Sequence, residues 1–134
     1  MSGTVQAPQA GRLARRGMRP YTLEERRRLY VLACVAIKRH YRRPLTLQVL
    51  ARGLATSTRQ LQRAFEMFGE RTFREELLAR RMAGAVELLA QPTVRVAEVA
   101  GLVGYSGGSH FARTFRRCYG LSPSAYRRAQ QPAC

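Results

Sequence analysis

Acidic residues are scarce in this sequence, and lysine scarcer still. Eight Asp and Glu stand against 24 Lys and Arg in 134 residues, a formal charge of +16. With so few acids to neutralise it, the positive charge favours a polyanionic partner, either nucleic acid or an anionic membrane surface. Lys38 is the only lysine. Arginine therefore carries the charge, and its planar fork suits bidentate pairing with phosphate and guanine. A GC-rich genome would account for arginine in place of lysine, but not for the positive excess. No apolar run approaches the roughly 20 residues that span a bilayer, and no signal-peptide core opens the chain, so no membrane partner is expected. The cysteines, Cys34, Cys118 and Cys134, make no CxxC pair and no metal-ligand spacing. Their pattern fits a reducing cytoplasm rather than a disulfide framework. No acid–base or nucleophile constellation stands out, so the expectation is no enzyme, no cofactor and no metal. His40 and His110 are isolated and fit surface or capping groups better than ligands. No segment alternates with the period of a strand.

What the chain does hold is a repeat, with 46% hydrophobic residues to supply a core. Leu61-Gln62-Arg63-Ala64-Phe65 returns 50 residues later as Phe111-Ala112-Arg113-Thr114-Phe115. The correspondence runs on from Thr72-Phe73 to Ser122-Pro123, and from Glu76 to Tyr126. Upstream, the small apolar segment 47–54 matches 96–103 at an offset of 49, so the second copy carries one extra residue in its turn. Two short helices around a tight turn, twice over, read as two helix-turn-helix units.

In chain order, residues 1–20 have no period and read as a disordered basic tail. Arg12, Arg15, Arg16 and Arg19 without an acid are mildly like a transit peptide, but large apolar residues are few. Residues 21–128 are the expected folded part. Thr22-Leu23-Glu24-Glu25 predicts a capping box at the start of a helix. Its core face is Leu29, Leu32, Ala33, Ala36 and Ile37, with Cys34 beside it as a small core residue, and Pro44 ends the region. Thr46 caps the next helix, carrying Leu47, Leu50, Ala51 and Leu54, and Ala55 and Thr56 make the turn. Ser57 caps a third helix, with Leu61, Phe65 and Phe68 inward and Thr58, Arg59, Gln62, Arg63 and Glu66 outward. This first unit covers about residues 46–68.

Thr72 caps a long linker helix over about residues 72–90, lined by Leu78, Met82, Ala85 and Leu89. Gly84 inside it costs about 1 kcal/mol relative to Ala, which marks a close contact or simple tolerance. After Gln91-Pro92-Thr93, Thr93 or Val94 opens the second unit, about residues 94–117. It carries Val96, Val99, Ala100 and Val103, a turn from Gly104 to Gly108, then Phe111 and Phe115 inward with Ser109, Ala112, Arg113 and Arg116 outward. Ser122-Pro123 starts a short last helix, and residues 129–134 read as a frayed tail. The fold expected is all-α, about seven helices.

These residues resemble the DNA-binding domain of the AraC/XylS family of bacterial transcription regulators. The carrying positions are Pro44-Leu45-Thr46-Leu47, Leu50-Ala51, Ser57, Leu61-Gln62-Arg63, Phe65, Arg81-Met82, Ala85 and Leu88-Leu89. The second half adds Val99-Ala100, Val103-Gly104-Tyr105, Ser109-His110-Phe111, Arg113, Phe115, Gly120-Leu121-Ser122-Pro123 and Tyr126-Arg127. The resemblance covers about residues 24–128 and is most specific in the second half. It implies two helix-turn-helix units joined by the long helix. Arg59, Gln62 and Arg63 then hold base-reading positions in the first unit, and Gly108, Ser109, Ala112 and Arg113 the matching ones in the second. It also implies a single-domain regulator without a fused effector, activating transcription, with RNA polymerase as a candidate second partner. Three departures stand out. The glycine after the first reading helix comes one residue early, as Gly69. Glu76 replaces a common aromatic, and Gly107-Gly108 replace a polar cap and a polar reader.

The chemistry fits duplex DNA. A reading helix places its N-terminal residues at base edges in the major groove; Arg63 can pair with guanine and Gln62 with adenine. Thr58 and Arg59 complete the first reader. In the second, Ser109 and Arg113 remain, with Arg116 and Arg117 suited to phosphates. A linker helix of about 18 residues spans roughly 27 Å, compatible with two readers about one DNA turn, roughly 34 Å, apart. The expectation is a sequence-specific regulator that binds double-stranded DNA as a monomer, in the cytoplasm and on the nucleoid when bound. The alternative is a non-specific architectural nucleic-acid-binding protein, which the charge alone would permit.

Overall fold

The computed structural model describes residues 21–131. The basic tail expected over 1–20 and the last residues, Cys134 among them, lie outside the described residues. Among those described there are seven α-helices and no strand. They are α1 (Leu23–His40), α2 (Leu47–Gly53), α3 (Thr58–Phe68), α4 (Phe73–Leu89), α5 (Val96–Leu102), α6 (Gly108–Tyr119) and α7 (Pro123–Gln130). They fall into two compact units. Among the described residues, the first takes 21–40 together with 45–76, and the second takes 41–44 and 77–131.

The helix starts are set largely by hydroxyl caps. Thr22 Oγ1 accepts from the Glu25 amide at 3.1 Å, Thr46 from Val49 at 3.1 Å and Ser57 from Gln60 at 3.1 Å. Thr72 and Glu75 close a full capping box at 3.2 and 2.9 Å. Ser122 accepts from Ala125 at 3.1 Å, ahead of Pro123 in the first turn of α7. Each such bond satisfies an amide that a helix start leaves open and contributes about 1 kcal/mol. Two starts lack a hydroxyl cap, that of α6, whose cap is Gly107, and that of α5. The latter starts at Val96 rather than at Thr93 or Val94, and its cap, Arg95, has no acceptor to offer; instead the Glu98 carboxylate accepts from the Arg95 backbone amide at 3.1 Å. At the other end of the chain, α7 continues to Gln130, past residue 129 where fraying was expected.

The core of the first unit forms where α1 lies against α3. Leu29, Ala33 and Ile37 face Leu61, Ala64 and Phe65, all buried. Leu32, expected inside, is 46% exposed, and Phe68 is only half-buried. Phe65 is the centre. Tyr30 meets it edge-on at 5.4 Å and 82°, and Phe73 at 6.3 Å and 77°. Gly69, at the end of α3, is extended rather than left-handed, with φ −99°. A side chain there would come within 3.0 Å of both the Tyr30 ring and the Phe65 carbonyl. Close approach, not unusual backbone, explains this early glycine.

The second unit repeats the plan with a different aromatic. Phe115, fully buried, is met edge-on by Tyr126 of α7 at 5.4 Å and 88°. In the first unit the position of Tyr126 belongs to Glu76, which pairs with Arg71 at 3.3 Å. Tyr30 supplies from α1 the ring that the repeat position lacks. Two arginines brace this unit internally. Arg81 donates to the carbonyls of Tyr41 at 2.8 Å and Arg43 at 2.9 Å. Arg127 donates to the carbonyls of Leu89 at 3.0 Å, Gln91 at 3.1 Å and Leu88 at 3.4 Å, tying α7 to the end of α4 and the turn after it. On α4 the buried residues include Phe73, Leu77, Met82, Ala85, Leu88 and Leu89. Leu78, expected inside, is half-buried, and its neighbour Leu77 takes the core position.

Gly84 answers the choice between contact and tolerance. A methyl there would stand 2.5 Å from the Tyr41 hydroxyl and 2.9 Å from two ring carbons, and the ring is itself buried. Helix propensity alone predicts that Gly84→Ala stabilises by about 1 kcal/mol. Overpacking predicts the opposite, a loss of about 1–3 kcal/mol. We expect the loss; urea unfolding of the variant measures it, and a gain would show that Tyr41 moves aside without cost.

Candidate nucleic-acid interface

Each unit presents one helix whose inner face is fixed by phenylalanine and whose outer face is basic. On α3 the burial of Leu61, Ala64 and Phe65 turns Arg59, Gln62, Arg63 and Glu66 to solvent, while Thr58 in the first turn is half-buried. On α6 the burial of Phe111, Thr114 and Phe115 exposes Ser109, Arg113, Arg116 and Arg117, with Gly108 exposed and Ala112 half-buried. Ala64 and Thr114 occupy the same repeat position, and both are buried. The ion pairs between described residues join Arg71 to Glu76 and Arg95 to Glu98. The outward arginines of α3 and α6 take part in neither, so their charge is available to a partner.

The two turns that lead into these helices share a geometry. In the first, Ala55 adopts φ 56° and the Thr56 amide bonds the Ala51 carbonyl at 2.9 Å. In the second, Gly104 adopts φ 101° and the Tyr105 amide bonds the Ala100 carbonyl at 2.9 Å. A left-handed residue is costly for anything but glycine, so Ala55 marks a turn that the packing enforces. The extra residue of the second copy falls after Tyr105, before the cap Gly107.

The caps differ in a way that bears on anion binding. Ser57 takes one amide of the α3 start, whereas Gly107 provides no side-chain bond to α6. The first-turn amides of α6 are therefore open to an external acceptor such as a phosphate oxygen.

Polar contacts outside the two outward faces escaped the sequence pattern. Arg26 Nη2 donates to Gln60 Oε1 at 2.7 Å, and the Tyr21 hydroxyl lies 2.8 Å from Thr56 Oγ1. These pairs join residues far apart in sequence, and no local signal announces them. Arg81 and Arg127 were visible only as positions of a family resemblance, without a contact to explain them.

Of the histidines, His110 is exposed and packs against the Tyr105 ring at 5.3 Å, and His40 is half-buried. Among the described residues no group of His, Cys, Asp and Glu gathers in a form that could hold a metal ion. No described helix is long and apolar enough to cross a membrane. Cys34 is half-buried against Tyr30, and burial is the main cause that raises its thiol pKa. The Tyr30 hydroxyl is pushed up to about 12, chiefly by its hydrogen bond with Cys34.

Comparison with known proteins gives a consistent picture. A family model described as a helix-turn-helix domain matches residues 50–129. An uncharacterized HTH-type transcriptional regulator of Escherichia coli K12, YpdC, is 32% identical over 98 residues, 73% of this chain and 34% of that protein. CdhR, an HTH-type transcriptional regulator of Pseudomonas aeruginosa, is 33% identical over 88 residues, 66% of this chain and 26% of that protein. The chain thus spans about a third of the length of such relatives, or less. The C-terminal domain of AraT, a response regulator from Geobacillus stearothermophilus, has a TM-score of 0.74 at 30% identity, covering 78% of this chain and 88% of that one. A Chromobacterium violaceum transcriptional regulator described as AraC-type has a TM-score of 0.70 at 25% identity, covering 79% and 96%. The DNA-binding domain of AdpA, a global transcriptional factor solved with a target DNA, has a TM-score of 0.69 at 28% identity, covering 75% and 90%.

Thiolate, not thiol, reacts with alkylating reagents. Raising the Cys34 pKa lowers its thiolate fraction at neutral pH, so Cys118, which is exposed, should be labelled by iodoacetamide well before Cys34. Mass spectrometry of partly labelled protein checks the order. Equal or faster labelling of Cys34 would reveal a reactive thiol that burial does not explain.

Proposed function

Because this chain belongs to the AraC-type helix-turn-helix family, we propose that it is a sequence-specific, double-stranded-DNA-binding transcription regulator. The observation that carries this reading is the repeated outward face. In both units a buried phenylalanine pair or its equivalent fixes a helix so that unpaired arginines point away from the core. A solvated face needs no such repetition. A DNA reader does, since a helix in the major groove offers one face to the bases.

In this reading Arg59, Gln62 and Arg63 contact base edges from α3, with Thr58 at the helix start. From α6, Ser109 and Arg113 face the bases, while Arg116, Arg117 and the open first-turn amides contact phosphates. The first reader carries most of the sequence information, because Gly108 and Ala112 have no polar side chain with which to read. The protein acts as an activator by family analogy, binds as a monomer through two unlike readers, and makes its second contact with RNA polymerase. The domain assignment follows the same lines: one DNA-binding domain over residues 21–128, with readers in 46–68 and 94–117.

The charge of +16 also supports a second reading, a non-specific architectural protein. Selection of bound duplexes from a random library at physiological salt separates the two. The regulator reading expects one enriched motif; uniform recovery of all sequences would replace it with the architectural one. Within the motif, Arg63→Ala should relax preference at one position and weaken the specific complex by about 1–3 kcal/mol. If it weakened specific and random DNA equally, Arg63 would be a phosphate contact instead.

A further inference from the structure

We infer that Tyr21 and Arg26 are positioning residues for α3, and that they set the sequence preference of Arg59, Gln62 and Arg63 without reading DNA themselves. This rests on the DNA-reading function proposed above.

Two side chains from the entry to α1 grip the start of α3 on either side of its cap. The Tyr21 hydroxyl meets Thr56 at 2.8 Å, one residue before the cap Ser57. Arg26 donates to Gln60 at 2.7 Å, and Gln60 is the residue whose amide Ser57 holds. The Arg26 guanidinium also lies 5.9 Å from the centre of the Tyr21 ring, tying the two grips together. A cap decides where a helix starts, but not how it is rotated about its own axis. The buried residues Leu61, Ala64 and Phe65 fix that rotation from the second turn onward. Arg59 sits before them, in the turn that base reading uses. The Tyr21–Arg26 pair fixes this first turn, and base-edge hydrogen bonds tolerate misplacement of only about 0.5 Å.

Two further observations point the same way. Arg26 Nε is buried with no hydrogen-bond partner. An orphaned buried donor lowers stability, so this arginine is better explained by placement than by stability. The second unit has a counterpart. At the repeat offsets, Thr56 and Gln60 correspond to Tyr105 and His110, whose rings meet at 5.3 Å. There too an arginine of the preceding long helix, Arg81, stacks on one member of the pair, 5.7 Å from the centre of the Tyr105 ring. In each unit an arginine that no outward face includes thus meets a residue at the entry to the reading helix, Gln60 in the first and Tyr105 in the second.

The experiment uses the full chain, a duplex carrying the selected motif, and a scrambled duplex of equal length. Arg26→Met, Gln60→Ala and the double variant are compared by fluorescence anisotropy, with melting temperature and salt dependence measured alongside. Arg26→Met should keep the melting temperature, the salt slope and the affinity for scrambled DNA, yet lose roughly tenfold in the ratio of specific to scrambled binding. Gln60→Ala should lose the same, and the double variant no more than either single. A lower salt slope in Arg26→Met would make Arg26 a phosphate contact and overturn the inference. So would additive losses in the double variant, which would make Gln60 an independent reader. Should Arg26→Met fail to fold, Tyr21→Phe, which removes only the hydroxyl that meets Thr56, takes its place: it should lower the ratio of specific to scrambled binding, and an unchanged ratio overturns the inference. A wild-type ratio near one would sink the DNA-reading function and this inference together, whereas an intact wild-type ratio that the variants leave unchanged would sink only the inference.

Discussion

The arrangement depends on one kind of contact, an aromatic ring meeting a buried phenylalanine edge-on. Phe65 receives Tyr30 and Phe115 receives Tyr126, each at 5.4 Å and close to perpendicular. Burying a phenylalanine contributes about 1.5–3 kcal/mol, and an edge-on partner adds about 0.5–1.5 kcal/mol. More important than the energy is the direction. With Phe65 and Phe115 committed inward, helical geometry leaves Arg59, Arg63, Arg113 and Arg116 facing out. The charged face of each helix is a consequence of where its phenylalanine goes.

That constraint explains what could be read in advance. Hydroxyl caps at Thr22, Thr46, Ser57, Thr72 and Ser122 are local, since acceptor and amide lie three residues apart, and each capping bond is present. The phenylalanine stripes and the extra residue of the second turn are periodic, and were equally legible. Neighbouring apolar residues were harder. Leu77 and Leu78 both fit a helical stripe, and only the packing chooses Leu77. The same ambiguity misplaced Leu32. The start of α5 was missed because its cap comes from Glu98 reaching back, not from a hydroxyl at the first position.

The departures from the family pattern fall into two groups. Glu76 and Gly69 have a common cause: Tyr30 occupies the space. Its ring replaces the aromatic absent at Glu76, and its edge leaves no room for a side chain at Gly69. Neither could be understood from the repeat alone, since Tyr30 comes from another helix. Gly107-Gly108 have no such compensation among the described residues. They leave α6 without a side-chain cap and with fewer polar groups at its start, which is why the proposed function divides the work unequally. The placement of Arg26 on Gln60 was invisible for the same reason as Tyr30, a partner remote in sequence.

The central claim is this unequal division, and single base-pair changes across the selected site test it most directly. Changes in the segment protected by α3 should each cost about 1–3 kcal/mol of binding. Most changes in the segment protected by α6 should cost clearly less, because contacts to phosphates are insensitive to sequence. Equal penalties in both segments would mean that Arg113 and Ser109 read as strongly as Arg59, Gln62 and Arg63, and would contradict the account.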